Sequence, residues 1–272
     1  SCSGTAPDGK AVMALMRAAR RSGIPAPPSG IALAALVTDV AAGTLTDDIR
    51  IESKVLGYAL QYRVYVPSIG SGAALPTLYV TDGSWYLEQG RMKEVLDELI
   101  AAGSIEPVLV VFVDARDPDH LETNRRNKQL ICKLDYASFF STELVPRIDA
   151  TYPTRRSPVS RTILGLSFGG LNAACFGLSI PHVFSNLAMQ SPASGETLGI
   201  VADEYRRNGR LPLRMFLSVG TRNDNMDDGR RFRRILEDKG RPLTYFEVSQ
   251  GHYWNDGGPL LPEVLLTFYG RQ

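Results

Sequence analysis

A mostly parallel α/β sheet with helices on both faces, opened by an antiparallel hairpin, is the fold class this sequence predicts. Three observations carry the expectation. Val108-Leu109-Val110-Val111-Phe112-Val113 is almost continuously apolar, as a strand covered on both faces must be. From Thr77 onward, short apolar runs alternate with longer segments of helical periodicity, the pattern of parallel strands joined by helical crossovers. Ahead of them, Ile49-Arg50-Ile51-Glu52-Ser53 and Leu60 to Val66 alternate polar and apolar residues around a turn containing Gly57, which reads as a hairpin.

Residues 1–45 are expected to form an N-terminal helical extension, and residues 46–272 the domain that carries the chemistry. In the extension, Val12, Leu15 and Met16 recur at helical spacing before Ser22-Gly23; Pro25, Pro27 and Pro28 make a stiff connector, and Ser29 caps a second apolar helix that stops near Gly43. The domain then offers strand Thr77 to Thr81, helix Leu87 to Ala102, the apolar strand at 108–113 and helix Tyr136 to Ala150. Strand Arg161 to Leu166, helix Phe168 to Leu178, strand Asn186 to Met189 and a polar helix Glu196 to Asn208 follow. Strand Arg214 to Val219, helix Gly229 to Asp238, strand Leu243 to Val248 and a last helix Pro259 to Tyr269 complete the series.

Composition narrows the function. With 30 Lys and Arg against 29 Asp and Glu, the chain lacks the basic excess of a nucleic-acid binder. The apolar run Ile31 to Val37 is cut off by Thr38-Asp39, so nothing approaches a membrane span. The 3 cysteines and 3 histidines form no zinc-site pattern. Cys175, within Ala173-Ala174-Cys175-Phe176, reads as a small buried hydrophobe. The opening Ser1-Cys2-Ser3-Gly4 resembles the mature end of a bacterial lipoprotein, which makes a periplasmic or exported protein with a lipid anchor at Cys2 the expectation; an arbitrary sequence boundary is the alternative.

The chemistry centres on Gly165-Leu166-Ser167-Phe168-Gly169, a G-x-S-x-G run at the end of a buried strand and the start of a helix. That placement makes a nucleophile elbow, with Ser167 in a strained turn and its neighbouring glycines clearing space. A serine hydroxyl needs a base. Of His120, His182 and His252, only His252 follows a strand's carboxyl end, where open α/β sheets collect their functional groups. The acid is expected between serine and histidine in chain order, and Asp224 is nearest the end of its strand. Asp227 and Asp228 read as the acidic start of the next helix, although Asp227 stays open as the acid, and so does a variant in which a backbone carbonyl holds the histidine. Oxyanion donors are expected from the backbone N–H of Phe168 and, after strand Thr77 to Thr81, of Ser84.

Leu60 to Pro67, Leu78-Tyr79-Val80-Thr81-Asp82-Gly83, Gly165 to Gly170 and Gly251-His252, with Glu143-Leu144-Val145-Pro146 before the elbow strand, resemble the enterochelin-esterase/esterase D-like branch of the α/β-hydrolases across roughly residues 50 to 272. The resemblance implies the α/β-hydrolase fold and an ester hydrolase using Ser167, Asp224 and His252, with no metal or organic cofactor and a small-molecule ester as its partner. Two departures stand out. The family often has its acid three residues after the glycine, where this chain has Asn223, and the family's Arg-x-x-Glu-Leu becomes Arg126-Asn127-Lys128-Gln129-Leu130. Trp85, Arg126 and Trp254 are the expected substrate-binding residues, aromatic walls suiting an aryl or catecholate acyl group. Acyl transfer to a sugar or alcohol acceptor, and a non-catalytic binding module, are the competing readings.

Overall fold

The computed structural model describes residues 41–68, 72–209, 211–249, 251–252 and 260–271. The first expected helix, the second as far as residue 40, and Cys2 lie outside them, and residues 41–43, where the second was expected to end, are not helical. The strands are β1 (Thr44–Leu45), β2 (Ile49–Ser53), β3 (Tyr58–Val66), β4 (Thr77–Thr81), β5 (Leu109–Val113), β6 (Arg116–Asp117), β7 (His120–Asn124), β8 (Arg161–Leu166), β9 (Asn186–Gln190), β10 (Arg214–Gly220) and β11 (Leu243–Val248). Among the described residues, nine of them form one sheet in the order β1-β3-β5-β4-β8-β9-β10-β11, with β2 also on β3, while β6 and β7 make a separate hairpin.

β3 pairs antiparallel with β1, β2 and β5. Every pairing from β5 across to β11 is parallel. The sheet is therefore mixed at one side and parallel through its centre, as the patterning predicts. It already includes Thr44 and Leu45, which pair with Val66 and Tyr65.

Strand alternation divides the interior into two cores, one on each face. Tyr79, Leu109, Val111, Ile163, Leu187, Met189, Met215 and Leu217 point to one face. Leu78, Val80, Val110, Phe112, Leu164, Ala188 and Phe216 point to the other. The first face is covered by helices Phe168–Ser179, Glu196–Arg207 and Met226–Asp238 and by the helical stretch 134–151. The second is covered by Gly83–Glu88, Met92–Ala101 and Leu261–Tyr269. Period-two side-chain direction is what lets a continuous apolar run such as β5 serve both.

Two helices differ from their expected form. The single helix expected over Leu87 to Ala102 is two, Gly83–Glu88 and Met92–Ala101. Gly90 is a poor helix former, and Arg91 adopts a left-handed conformation (φ 47°), which redirects the chain so that Met92 and Leu96 meet the same core as Tyr86. The helix expected from Tyr136 to Ala150 runs as α-helix Leu134–Phe139, a π-helical turn Phe140–Leu144 and α-helix Val145–Thr151. The extra residue in that turn accompanies burial of Tyr136, Phe139, Phe140 and Leu144 together and places Pro146, which has no N–H to donate, just beyond it. Glu143, in this turn, accepts hydrogen bonds from the Ser53 hydroxyl (2.6 Å) and from the Lys54 and Val55 amides (2.9 and 3.2 Å). It fastens the β2–β3 turn.

The reading of Cys175 as a plain buried hydrophobe is corrected: it is bonded to Cys132, with Cα atoms 5.4 Å apart. Cys132 occupies a left-handed turn (φ 50°) after the short helix Arg126–Gln129, which brings it onto the helix holding Cys175.

Candidate active site

The parallel strands β8, β9, β10 and β11 lie side by side, and the candidate side chains follow their carboxyl ends. β8 ends at Leu166 and the next helix starts at Phe168, leaving Ser167 between them at φ 59° and ψ −116°. A non-glycine residue in that region is strained and persists only where the surroundings dictate it. They do. The Ser167 N–H donates to the Gln190 carbonyl (3.0 Å), and its own carbonyl accepts from Leu171 (3.0 Å) and Ala193 (2.9 Å). A side chain on Gly165 would stand 2.3 Å from the Gly169 carbonyl carbon, and one on Gly169 would stand 2.5 Å from the Thr81 hydroxyl oxygen. The motif glycines are therefore required by the close approach of helix to strand.

His252, in the loop after β11, joins the serine to an aspartate after β10. Its Nε2 lies 2.9 Å from Ser167 Oγ and its Nδ1 lies 2.6 Å from Asp224 Oδ1. A carboxylate can only accept, so Nδ1 carries the proton and Nε2 is left to accept from the serine hydroxyl. Asp224 is itself fixed. Its Oδ2 accepts from the Ser191 hydroxyl and the Gly220 amide, both at 2.6 Å. Burial opposes charge on Asp224, but hydrogen bonds from His252, Ser191 and the Asn225 and Gly220 amides outweigh it and draw the carboxyl down to about 2. Ser191 belongs to no motif in the sequence; its signal is its place at the end of β9, the strand between those that precede Ser167 and Asp224.

Asn223, where the resembled family often has its acid, takes a left-handed turn (φ 51°), and that turn brings the following Asp224 back to Gly220. Asp227 and Asp228 sit in the first turn of helix Met226–Asp238. His120 lies on β7 with an exposed side chain, and His182 is exposed. Among the described residues, no group of three or more His, Cys, Asp or Glu is gathered as a metal site.

The strand beside β8 is β4. Its chain continues through Asp82 (φ 55°) into helix Gly83–Glu88, and the Asp82 carbonyl accepts from the Trp85 and Tyr86 amides. The segment after the strand, where the Ser84 donor is expected, is thus a helix start. Gly83 has no room for a side chain, which would fall 2.5 Å from the Phe112 backbone. Ser84 and Phe168 both stand in the first turn of helices that leave neighbouring strands, where N–H groups lack intrahelical acceptors.

Arg126 and Trp85 meet at this end. The Arg126 Nε donates to Asp82 Oδ1 (2.8 Å), and the guanidinium lies over the rings of Trp85 (4.9 Å to the centroid) and Phe168 (5.3 Å). Asp82 is buried. Burial pushes its carboxyl above the usual range, with Arg126 working against that shift. Asp114, after β5, takes Arg116 in a fork (2.7 to 3.1 Å) together with Gln61, and lies 3.4 Å from the Ser84 hydroxyl. Trp254 lies outside the described residues.

The sequence profile of the Esterase family, described as "Putative esterase", matches residues 53–255. The chain belongs to this esterase family. An uncharacterized Bacillus subtilis protein, YjcH, is 26% identical to this esterase over 223 residues, which are 78% of this chain and 92% of that one. The iron(III) enterobactin esterase of Dickeya dadantii is 27% identical over 182 residues, 60% of this chain and 41% of that protein. Among solved structures, the enterobactin esterase of Shigella flexneri superposes with a TM-score of 0.72 at 22% identity, over 82% of this chain and 58% of that one. A ferulic acid esterase superposes at 0.71 and 22% identity, over 84% and 98%. The esterase thus has the α/β-hydrolase fold, and it spans less than half of the Dickeya enzyme's length.

Proposed function

We propose that this esterase is a serine carboxylic-ester hydrolase working through an acyl-enzyme. The observation that carries the reading is His252 spanning from Ser167 Oγ (2.9 Å) to Asp224 Oδ1 (2.6 Å). In this reading Ser167 Oγ attacks the ester carbonyl carbon while His252 Nε2 takes the hydroxyl proton. Asp224 holds the ring and offsets the charge it gains. The negative oxygen of the tetrahedral intermediate faces the Phe168 and Ser84 amides. His252 then returns the proton to the leaving alkoxide, and water, activated by the same nitrogen, hydrolyses the acyl-serine.

The substrate class we infer is aryl, feruloyl-type or siderophore-type lactone esters. Trp85 beside the elbow supports it, as do relatives whose names specify enterobactin and feruloyl esterases. Ser167→Ala is expected to lower kcat on p-nitrophenyl butyrate by at least ~10⁴-fold with the thermal midpoint retained, since triad nucleophiles carry that much. A fluorophosphonate should label the native protein at Ser167. Turnover by the alanine variant, or labelling elsewhere, rules the mechanism out.

We also infer export. The Cys132–Cys175 bond supports it, because such bonds persist in oxidising compartments. Thiol alkylation of protein isolated without reductant should leave both cysteines unmodified; alkylation of both would count against export.

A further inference from the structure

We propose that Arg126 is a positioning residue that fixes the two halves of the oxyanion site to one another. The proposal rests on the reading of Ser167 as nucleophile and of the Phe168 and Ser84 amides as the receiving donors. Those donors come from different parts of the chain, one after β8 and one after β4. Their separation has to be held to a fraction of an ångström for both to meet one oxygen, yet no covalent link joins them.

Arg126 comes from a third segment and touches both. Its Nε–H donates to Asp82, the residue that opens the Ser84 turn, and its flat face covers Trp85 from that same turn and the ring of Phe168 itself. A guanidinium can do all three at once because its edge donates while its faces stack; an ammonium cannot. The segment bearing Arg126 is itself anchored. The Arg126 amide donates to Asn124 Oδ1 (2.8 Å), Arg125 donates to the Ala59 carbonyl (2.8 Å), and six residues on, Cys132 is bonded to Cys175 of the nucleophile helix. The path from the helix begun by Phe168, through the disulfide to the Arg126 segment and from the Arg126 guanidinium back to the Phe168 ring, is a closed ring, and Asp82 and Trp85 are held on that same guanidinium. The Nη groups of Arg126 have no hydrogen-bond partner among the described residues, so a direct substrate contact is the competing role and the test has to separate the two.

The experiment compares Arg126→Met, Arg126→Lys and Asp82→Asn in the full chain, on neutral p-nitrophenyl butyrate and on its anionic hemisuccinate analogue, with active sites counted by fluorophosphonate titration. Positioning predicts kcat per titrated site lower by about 10- to 100-fold in Arg126→Met on both esters, with KM within about threefold, since one misplaced donor has effects of this order. Arg126→Lys should recover only a small part of the loss. Asp82→Asn should fall in the same direction, and the double variant should be no slower than Arg126→Met. A loss confined to KM, or to the anionic ester, overturns the proposal in favour of a substrate contact. If Arg126→Met does not fold, the near-isosteric Asp82→Asn decides on the same readout: unchanged kcat overturns the proposal. Full kcat in Arg126→Met while Ser167→Ala is inactive overturns it alone, whereas activity in Ser167→Ala overturns the reading beneath it as well.

Discussion

The carboxyl ends of β10 and β4 each bury an aspartate within reach of the same elbow, and the two experience opposite electrostatics. Asp224, after β10, has a side chain with no exposed surface, and Asp82, after β4, has 3%. Burial raises the free energy of charge on both. At Asp224 four donors more than compensate, and the carboxyl titrates at about 2. At Asp82 one guanidinium nitrogen serves Oδ1, Oδ2 has no partner among the described residues, and the carboxyl sits above its usual range. Burial alone does not set the charge of a site carboxylate; the number of donors aimed at it does. The β10 end is built to keep a charge, the β4 end to hold a shape.

The sharpest way to break this contrast is Asp224→Asn, which keeps the volume but favours the wrong imidazole tautomer. We expect kcat to fall by about 10³- to 10⁴-fold with KM little changed, measured on p-nitrophenyl butyrate. A smaller loss there than in Asp227→Asn would move the acid to Asp227.

The disulfide ties the segment bearing Arg126, which holds Asp82 by a hydrogen bond, to the helix after β8. Replacing Cys132 and Cys175 by serine opens a link across 43 residues, for which the loop-entropy estimate is about 4 kcal/mol of unfolding free energy. A midpoint lower by roughly 10 °C in calorimetry follows from that figure; an unchanged midpoint would show that the bond does not constrain the unfolded chain.

Acid titration separates the two aspartates by sign. The folded pKa of Asp224 lies below its unfolded value of 3.8, so its contribution, up to about 2 kcal/mol, is present above that pH and lost as pH falls through about 2. Asp82 runs the other way: its folded pKa is raised, so its contribution is full below the unfolded pKa and is lost as pH rises through the folded one. Urea unfolding should give a stability gap between wild type and Asp224→Asn that narrows by half or more on going from about pH 6 to about pH 2.5. A gap that widens would reverse the assignment.

Smallest of all, Asp227→Asn should change kcat by less than about twofold, because that carboxylate sits on an exposed first turn where such groups contribute a few tenths of a kcal/mol.

The central parallel strands were legible because they are covered on both faces, and the bounds of all the parallel strands in the structure differ from expectation by one residue at most. The elbow was legible for a steric reason: glycine is needed wherever a helix start rides against a strand. What escaped was whatever depends on a partner far along the chain. The bond from Cys132 to Cys175 could not be read, since cysteine spacing does not encode connectivity. Ser191 looked like any serine after a strand until the fold set it against Asp224. The break at Gly90-Arg91 and the π-helical turn at Phe140 were hidden under intact helical periodicity, because both exist to turn apolar side chains toward a core that only the assembled sheet defines.

The division of the interior into two separate cores has a practical corollary for reshaping this protein. Helices Met92–Ala101 and Leu261–Tyr269 rest on the face opposite the elbow helix, so their packing can be optimised for heat tolerance without disturbing the layer beneath Ser167. Libraries seeking new acyl preferences belong instead around Trp85, the residue that the proposed reading sets beside the ester and whose ring also meets the Arg126 guanidinium.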